Sequence, residues 1–128
     1  MNKTIFLTGI LFGVLAVLFG AFGAHGLEKL VDADAVQTFE TGVRYQMYHA
    51  LFLLVLGSLQ PLPEQSKKSI FYVIVFGILL FSFSIYLLAI NTLTNFDFKV
   101  IGFLTPIGGT LLIVGWSLLG FRVYKQFS

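Results

Sequence analysis

Residues Thr4–Ala24 read TIFLTGILFGVLAVLFGAFGA, with no charged side chain among them. A helix needs about 20 mainly apolar residues to cross the hydrocarbon of a bilayer, and this stretch supplies them. Backbone N–H and C=O groups find no water in lipid, so such a segment satisfies them internally as a helix. The polar–apolar alternation of a membrane barrel strand is missing. Working outward, three further stretches share this character. They run from about Val43 to Leu59 with Arg44 at the edge, from about Ile70 to Ile90 without charge, and from about Val100 to Tyr124 with Arg122 near the end. The sequence therefore predicts an all-α fold: an integral membrane four-helix bundle, up-down-up-down, forming one membrane domain over residues 1–128. The predicted spans are about 4–24, 43–59, 70–90 and 100–124.

Composition supports the same class. Hydrophobic residues make up 57% of the 128-residue chain and charged residues 11%, against roughly 25% charged in an ordinary soluble domain. A soluble fold this small has too much surface for its volume to hide that apolar area. The net charge of +2 is small and scattered, which argues against a nucleic-acid partner. The chain has no cysteine, which excludes disulfides, thiolate metal sites and cysteine nucleophiles.

The connections are short, so sequential helices are expected to be antiparallel neighbours. Gln60–Ser69, with Pro61, Pro63 and three charges, reads as an aqueous loop, and Asn91–Lys99 as another. The interfacial segment, about 26–42, differs. Asp34 is a candidate N-cap, and Val36, Phe39 and Val43 then follow at helical spacing, opposite Gln37, Glu40, Thr41 and Arg44. This predicts an amphipathic surface helix between the first and second spans, or an extension of the second span. Glu40 and Arg44, four apart with the acid first, are placed to pair. A signal peptide is the rival reading of the first span, with Lys3 as its basic start and Ala21-Phe22-Gly23 as its cleavage site. The apolar run exceeds the usual 7–15 residues, so retention is expected.

Lys3, Lys67, Lys68, Arg122 and Lys125 fall on one side of this topology, and Lys29, Arg44 and Lys99 on the other. The positive-inside rule then predicts a multi-pass cell-membrane protein with both termini cytoplasmic.

Two sets of residues stand out. Gly9, Gly13, Ala16, Gly20 and Gly23 form a stripe of small side chains on the first span, and Gly108 and Gly109 follow Pro106 on the fourth. Small residues let helices approach closely in lipid, so the glycines are assigned to helix packing, within the chain or against another copy. Pro106 is expected to kink its helix or free a carbonyl. The second set is polar. Tyr45 and Tyr48 suit an interfacial aromatic belt, and Arg44 can snorkel to the headgroups. His49 lies about six residues inside Val43, roughly 9 Å deep at 1.5 Å per residue. An ionisable residue there is a functional candidate by default, against the alternative of a histidine bonded to a neighbouring helix. Antiparallel packing brings His25, His49, Ser82, Ser84, Tyr86 and Thr105 to similar depth. With Arg44, Tyr45 and Tyr48, they are the candidate polar pocket in the outer half of the bundle. Trp116, deep in the fourth span, is expected to be a packing residue.

No phosphate-binding glycine loop and no HExxH motif is present. His25, His49 and Glu40 match no standard metal-ligand spacing, and axial haem ligation by the two histidines has no further support. No catalytic residue, metal or cofactor is expected.

These residues carry a family resemblance. Gly20-Ala21-Phe22-Gly23-Ala24-His25-Gly26-Leu27 and Phe39-Glu40-Thr41-Gly42-Val43-Arg44-Tyr45-Gln46-Met47-Tyr48-His49-Ala50-Leu51 resemble two blocks of a family of small membrane proteins. This is the domain of unknown function 423, or uncharacterised protein family 0382, which includes the transmembrane protein 256 relatives. Phe81-Ser82-Phe83-Ser84-Ile85-Tyr86-Leu87, Thr105-Pro106-Ile107-Gly108-Gly109 and Gly115-Trp116 resemble its later blocks. Where the family has a glycine between the two serines, this chain has Phe83. The resemblance implies a four-helix multi-pass membrane protein and brings no activity, cofactor or catalytic residue.

Three functional readings follow, in order of support. The first is a non-enzymatic membrane component, surrounded by membrane lipids, that associates with itself as a homo-oligomer or with a membrane-protein partner. The second is a small transporter or channel subunit using the polar pocket. The third is a lipid-acting enzyme.

Overall fold

A computed structural model describes residues 2–127. Helix α1 spans Lys3–His25 and α2 spans Ala33–Ser58. Helix α3 covers Glu64–Ala89: it is α-helical over Glu64–Ile78 and Ser84–Ala89, with a π-helical turn at Leu79–Phe83 between them. Helix α4 spans Leu104–Gln126. Short 3-10 turns at Leu27–Lys29, Asn91–Leu93 and Phe98–Ile101 complete the connections. The result is an all-α bundle in which each helix runs antiparallel to the one before it.

Three segments, Lys3–Lys29, Glu64–Ala89 and Phe98–Gln126, are long and apolar enough to cross a membrane. Helix α2 has the length but not the composition, because it carries Gln46 and His49 as well as its charged first turns. It nevertheless runs beside α1 throughout. Phe39 lies against Gly23, Val43 against Gly20, Ala50 against Gly9 and Gly57 against Phe6. Where α1 crosses, α2 crosses with it.

The segment 26–42 takes the second of its two alternatives. From Ala33 it is the beginning of α2 rather than a separate surface helix. The N-cap is Asp32, whose carboxylate accepts from the Ala35 N–H at 2.8 Å, and Asp34 falls in the first turn. The earlier cap satisfies a free N–H two residues sooner. Helix α3 likewise begins at Glu64, inside the stretch read as a loop, directly after Pro63. Hydropathy marks where lipid begins, whereas caps and prolines mark where a helix begins. Pro106 produces no kink because it stands in the first turn of α4, where a missing N–H has no partner to lose.

Two apolar clusters fill the bundle. The larger, toward the end that holds Asn2 and Lys67, gathers Ile5, Phe12, Leu53, Leu56, Ile70, Ile74, Ile78 and Leu112, closed beneath by Leu62. The smaller, toward the His25 end, gathers Leu27, Phe39, Tyr86 and Ala89. Phe19 packs edge-on to Phe39, Phe83 and Tyr86 there. Phe83 thus fills an aromatic contact with α1. Asn2 ties the Lys67 end together: its N–H donates to the Gly57 carbonyl at 2.8 Å and its side-chain amide to Glu64 at 2.7 Å.

Candidate functional site

Between the two apolar clusters lies a layer of buried polar side chains. Its centre is Gln46, fully buried on α2. The Gln46 amide donates to the Phe12 carbonyl of α1 at 2.8 Å. Its Oε1 accepts from the Tyr86 hydroxyl of α3 at 2.6 Å. One side chain therefore links three helices. Tyr86 reaches it by lying across Gly42, where a Cβ would stand 2.6 Å from the tyrosine ring. A helical side chain leans toward its own N-terminus, so the hydroxyl points deeper into the bundle than the Tyr86 backbone. The Gly42 carbonyl also accepts from Ser82 at 2.8 Å.

Ser82 belongs to the π turn. A π turn inserts one residue into the helix and loosens its hydrogen-bond ladder. Here the Ser84 hydroxyl donates to the Phe81 carbonyl at 2.9 Å and meets the Thr105 hydroxyl of α4 at 2.6 Å. The π turn is also where α4 comes closest. A Cβ on Gly108 would collide with the Phe81 backbone nitrogen and lie 2.7 Å from the Leu80 carbonyl carbon. The bulge and the glycine fit each other.

His49 makes a separate contact. The Trp116 indole N–H of α4 donates to its Nε2 at 3.0 Å. Indole nitrogen only donates, so Nε2 carries the lone pair. Nδ1 then carries the proton and donates to the Tyr45 carbonyl at 2.6 Å. The imidazole is neutral with both nitrogens bonded. Trp116 is not sealed in the core: it is 52% exposed, with its ring packed edge-on to Phe52 at 4.6 Å.

The residues singled out from sequence thus separate. Ser82 and Tyr86 bond to α2, Ser84 and Thr105 bond to each other between α3 and α4, and His49 bonds to Trp116. His25 is exposed at the end of α1, and Arg44, Tyr45 and Tyr48 are exposed on α2. Arg44 donates to the Thr41 hydroxyl at 3.1 Å rather than pairing with Glu40. The residues meet at three helix–helix contacts and do not surround one cavity. Among the described residues, no buried side-chain nitrogen or oxygen lacks a partner, and no cluster of three His, Asp or Glu is placed to hold a metal. Sequence reading passed over Gln46 and Gly42 as site residues. Their partners, the Phe12 carbonyl, the Ser82 hydroxyl and the ring and hydroxyl of Tyr86, lie on other helices and leave no mark in the sequence near them.

Two laterally open grooves flank this layer. One, of 440 Å³, lies between α1 and α2 and is lined by Gly9, Ile10, Gly13, Val14, Val17, Leu18, Met47, Ala50, Leu51 and Leu54, all apolar. The other, of 460 Å³, lies between α2, the π turn and α4, and is lined by Tyr45, His49, Phe81, Pro106, Gly109, Thr110, Leu112, Ile113 and Trp116.

Helices of this length and composition, with their inward polar groups bonded helix to helix, define a small multi-pass membrane protein. Comparison with known proteins places it more narrowly. The model of the family described as Protein of unknown function (DUF423) matches residues 19–109, and the chain belongs to that family. A UPF0382 membrane protein of Staphylococcus saprophyticus is 39% identical, over 96% of this chain and 98% of that one. The UPF0382 membrane protein YwdK of Bacillus subtilis is 36% identical, over 91% of this chain and 93% of its own. A UPF0382 membrane protein of Haemophilus influenzae is 36% identical over 91% and 90% of the two chains. No solved structure is significantly similar to the chain.

Proposed function

We propose that this protein is a non-enzymatic component of the cell membrane that works by lateral self-association through the groove between α1 and α2. The observation that carries this reading is Gly13. A glycine inside a helix costs about 1 kcal/mol relative to alanine, and a close neighbour normally explains it. At Gly13 the nearest atom to an added Cβ is the Ala50 methyl at 3.9 Å, so the chain's own packing does not require glycine there. Gly13 instead lines an apolar groove rimmed by Val14, Val17, Leu18 and Leu51, all exposed. A glycine-lined groove in lipid admits the backbone of another helix. The buried polar side chains meanwhile serve contacts within the bundle, which weighs against a transport path or an active centre built on them.

Both termini face the cytoplasm in this reading, following the five cations at their end of the bundle against three at the other. The chain lacks cysteine, so single cysteines report cleanly. Val14→Cys is expected to form disulfide-linked dimers on mild oxidation in native membranes, whereas Ile113→Cys, exposed on α4, stays monomeric. Equal cross-linking at both positions, or none at Val14, would remove the α1–α2 groove as the interface.

A further inference from the structure

Arg44 departs from the pattern of inward polar pairing. It is exposed on α2, and among the described residues its side chain makes one hydrogen bond, to Thr41. The one ion pair among the described residues joins Lys67 and Glu64, so Arg44 has no carboxylate partner among them. An unpaired guanidinium against an apolar surface is costly unless it reaches the interface or meets an anion. Its Nη2 reaches back to Thr41, three residues or about 4.5 Å of helix rise toward the His25 end.

On the other side of Arg44, deeper in the bundle, begins the 460 Å³ groove between α2 and α4. Tyr45 forms its near wall, packed on Phe81 at 5.1 Å between ring centres. Helix α4 walls the groove from Pro106 to Trp116, about 15 Å of rise. His49 lines it but has no free nitrogen, since both are bonded. The surface thus offers an exposed guanidinium one residue before Tyr45 at the groove's near wall, Tyr48 within a turn of both, and a mainly apolar channel running down the helices. Those features complement a phosphate joined to a hydrocarbon chain.

We propose that Arg44 and the α2–α4 groove form a binding site for an anionic phospholipid, with its phosphate on the Arg44 guanidinium and one acyl chain lying along Tyr45, Gly109 and Ile113 to Trp116. The planar guanidinium fork suits two phosphate oxygens at once. The site lies on a different face from the self-association groove and does not depend on it.

Trp116 is the single tryptophan of the chain and lines the deep end of the groove, so its fluorescence reads occupancy directly. The full chain is reconstituted in phosphatidylcholine vesicles containing a minority of phosphatidylglycerol, with brominated acyl chains on one lipid or the other. Brominated phosphatidylglycerol is expected to quench Trp116 about fivefold more effectively, mole for mole, than brominated phosphatidylcholine. That is roughly the factor of one basic side chain at an anionic surface. Arg44→Gln is expected to abolish the preference, and Arg44→Lys to retain it in reduced form, with unchanged helical circular dichroism. Equal quenching by the two lipids in the native protein would overturn the site, as would a preference that survives Arg44→Gln. Added inorganic phosphate is expected to leave quenching unchanged; relief by phosphate would identify a free-anion site instead of a lipid site.

Discussion

The seam between α1 and α2 and the seam between α3 and α4 both use glycine, for different ends. On α3 and α4, Gly77, Gly108 and Gly115 meet backbone or core side chains head-on, while Gly109 is in ordinary contact with Phe81 and Gly120 has nothing within 4 Å of an added Cβ. An added Cβ at Gly108 would strike the π-turn backbone, at Gly77 it would stand 2.7 Å from the Leu112 side chain, and at Gly115 it would strike Ile74. On α1 the contact is graded. An added Cβ would stand 2.9 Å from the Ala50 carbonyl oxygen at Gly9 and 3.1 Å from Phe39 at Gly23, but 3.5 Å from its nearest neighbour at Gly20 and 3.9 Å at Gly13. The regular stripe is therefore not where the fold most needs glycine. Part of it has room to spare, and there Gly13 lines an open groove.

The strongest way to break this comparison is Gly108→Ala. Its new methyl meets main chain that no rotamer change can move, so a loss of about 3 kcal/mol or more is expected, read as a large fall in melting temperature in detergent. An unchanged melting temperature would mean that the π turn and α4 are not in contact. Gln46→Leu comes next. It removes the hydrogen bonds to Phe12 and Tyr86, each worth about 0.6 and at most about 1.7 kcal/mol in membrane proteins. A combined loss of about 1–2 kcal/mol is expected. In a double-mutant cycle with Tyr86→Phe the two losses should be less than additive, because they share one bond; strict additivity would separate them. The smallest effect sharpens the contrast by changing sign. Gly13→Ala is expected to stabilise the monomer fold by up to about 1 kcal/mol, the helix-propensity gain of alanine over glycine, whereas Gly108→Ala destabilises it.

Much of the fold was legible in the sequence. Uninterrupted apolar runs locate α1, α3 and α4, because lipid demands both length and apolarity from an exposed helix. Helix α2 was under-read: its inward face carries Gln46 and His49, so hydropathy shortens it to 43–59, and its true start rests on the Asp32 cap. The polar layer was visible as residues of similar depth, but depth does not give rotation, and rotation sends Ser82, Ser84 and His49 to different neighbours. The π turn left no trace in Leu79–Phe83, where every residue is compatible with an ordinary helix. Spacing displayed the α1 stripe, yet spacing does not tell a glycine with no room for a Cβ, such as Gly9, from one with room to spare, such as Gly13.

The central claim, that the α1–α2 groove receives a second copy, is tested most directly by the oligomeric state of Gly13→Leu in lipid nanodiscs or by single-molecule counting in vesicles. A leucine there projects into free space, so the fold is expected to melt as the native protein does while the oligomer dissociates to monomers. A Gly13→Leu protein that associates as strongly as the native chain, or a native chain that is monomeric in lipid, would contradict it.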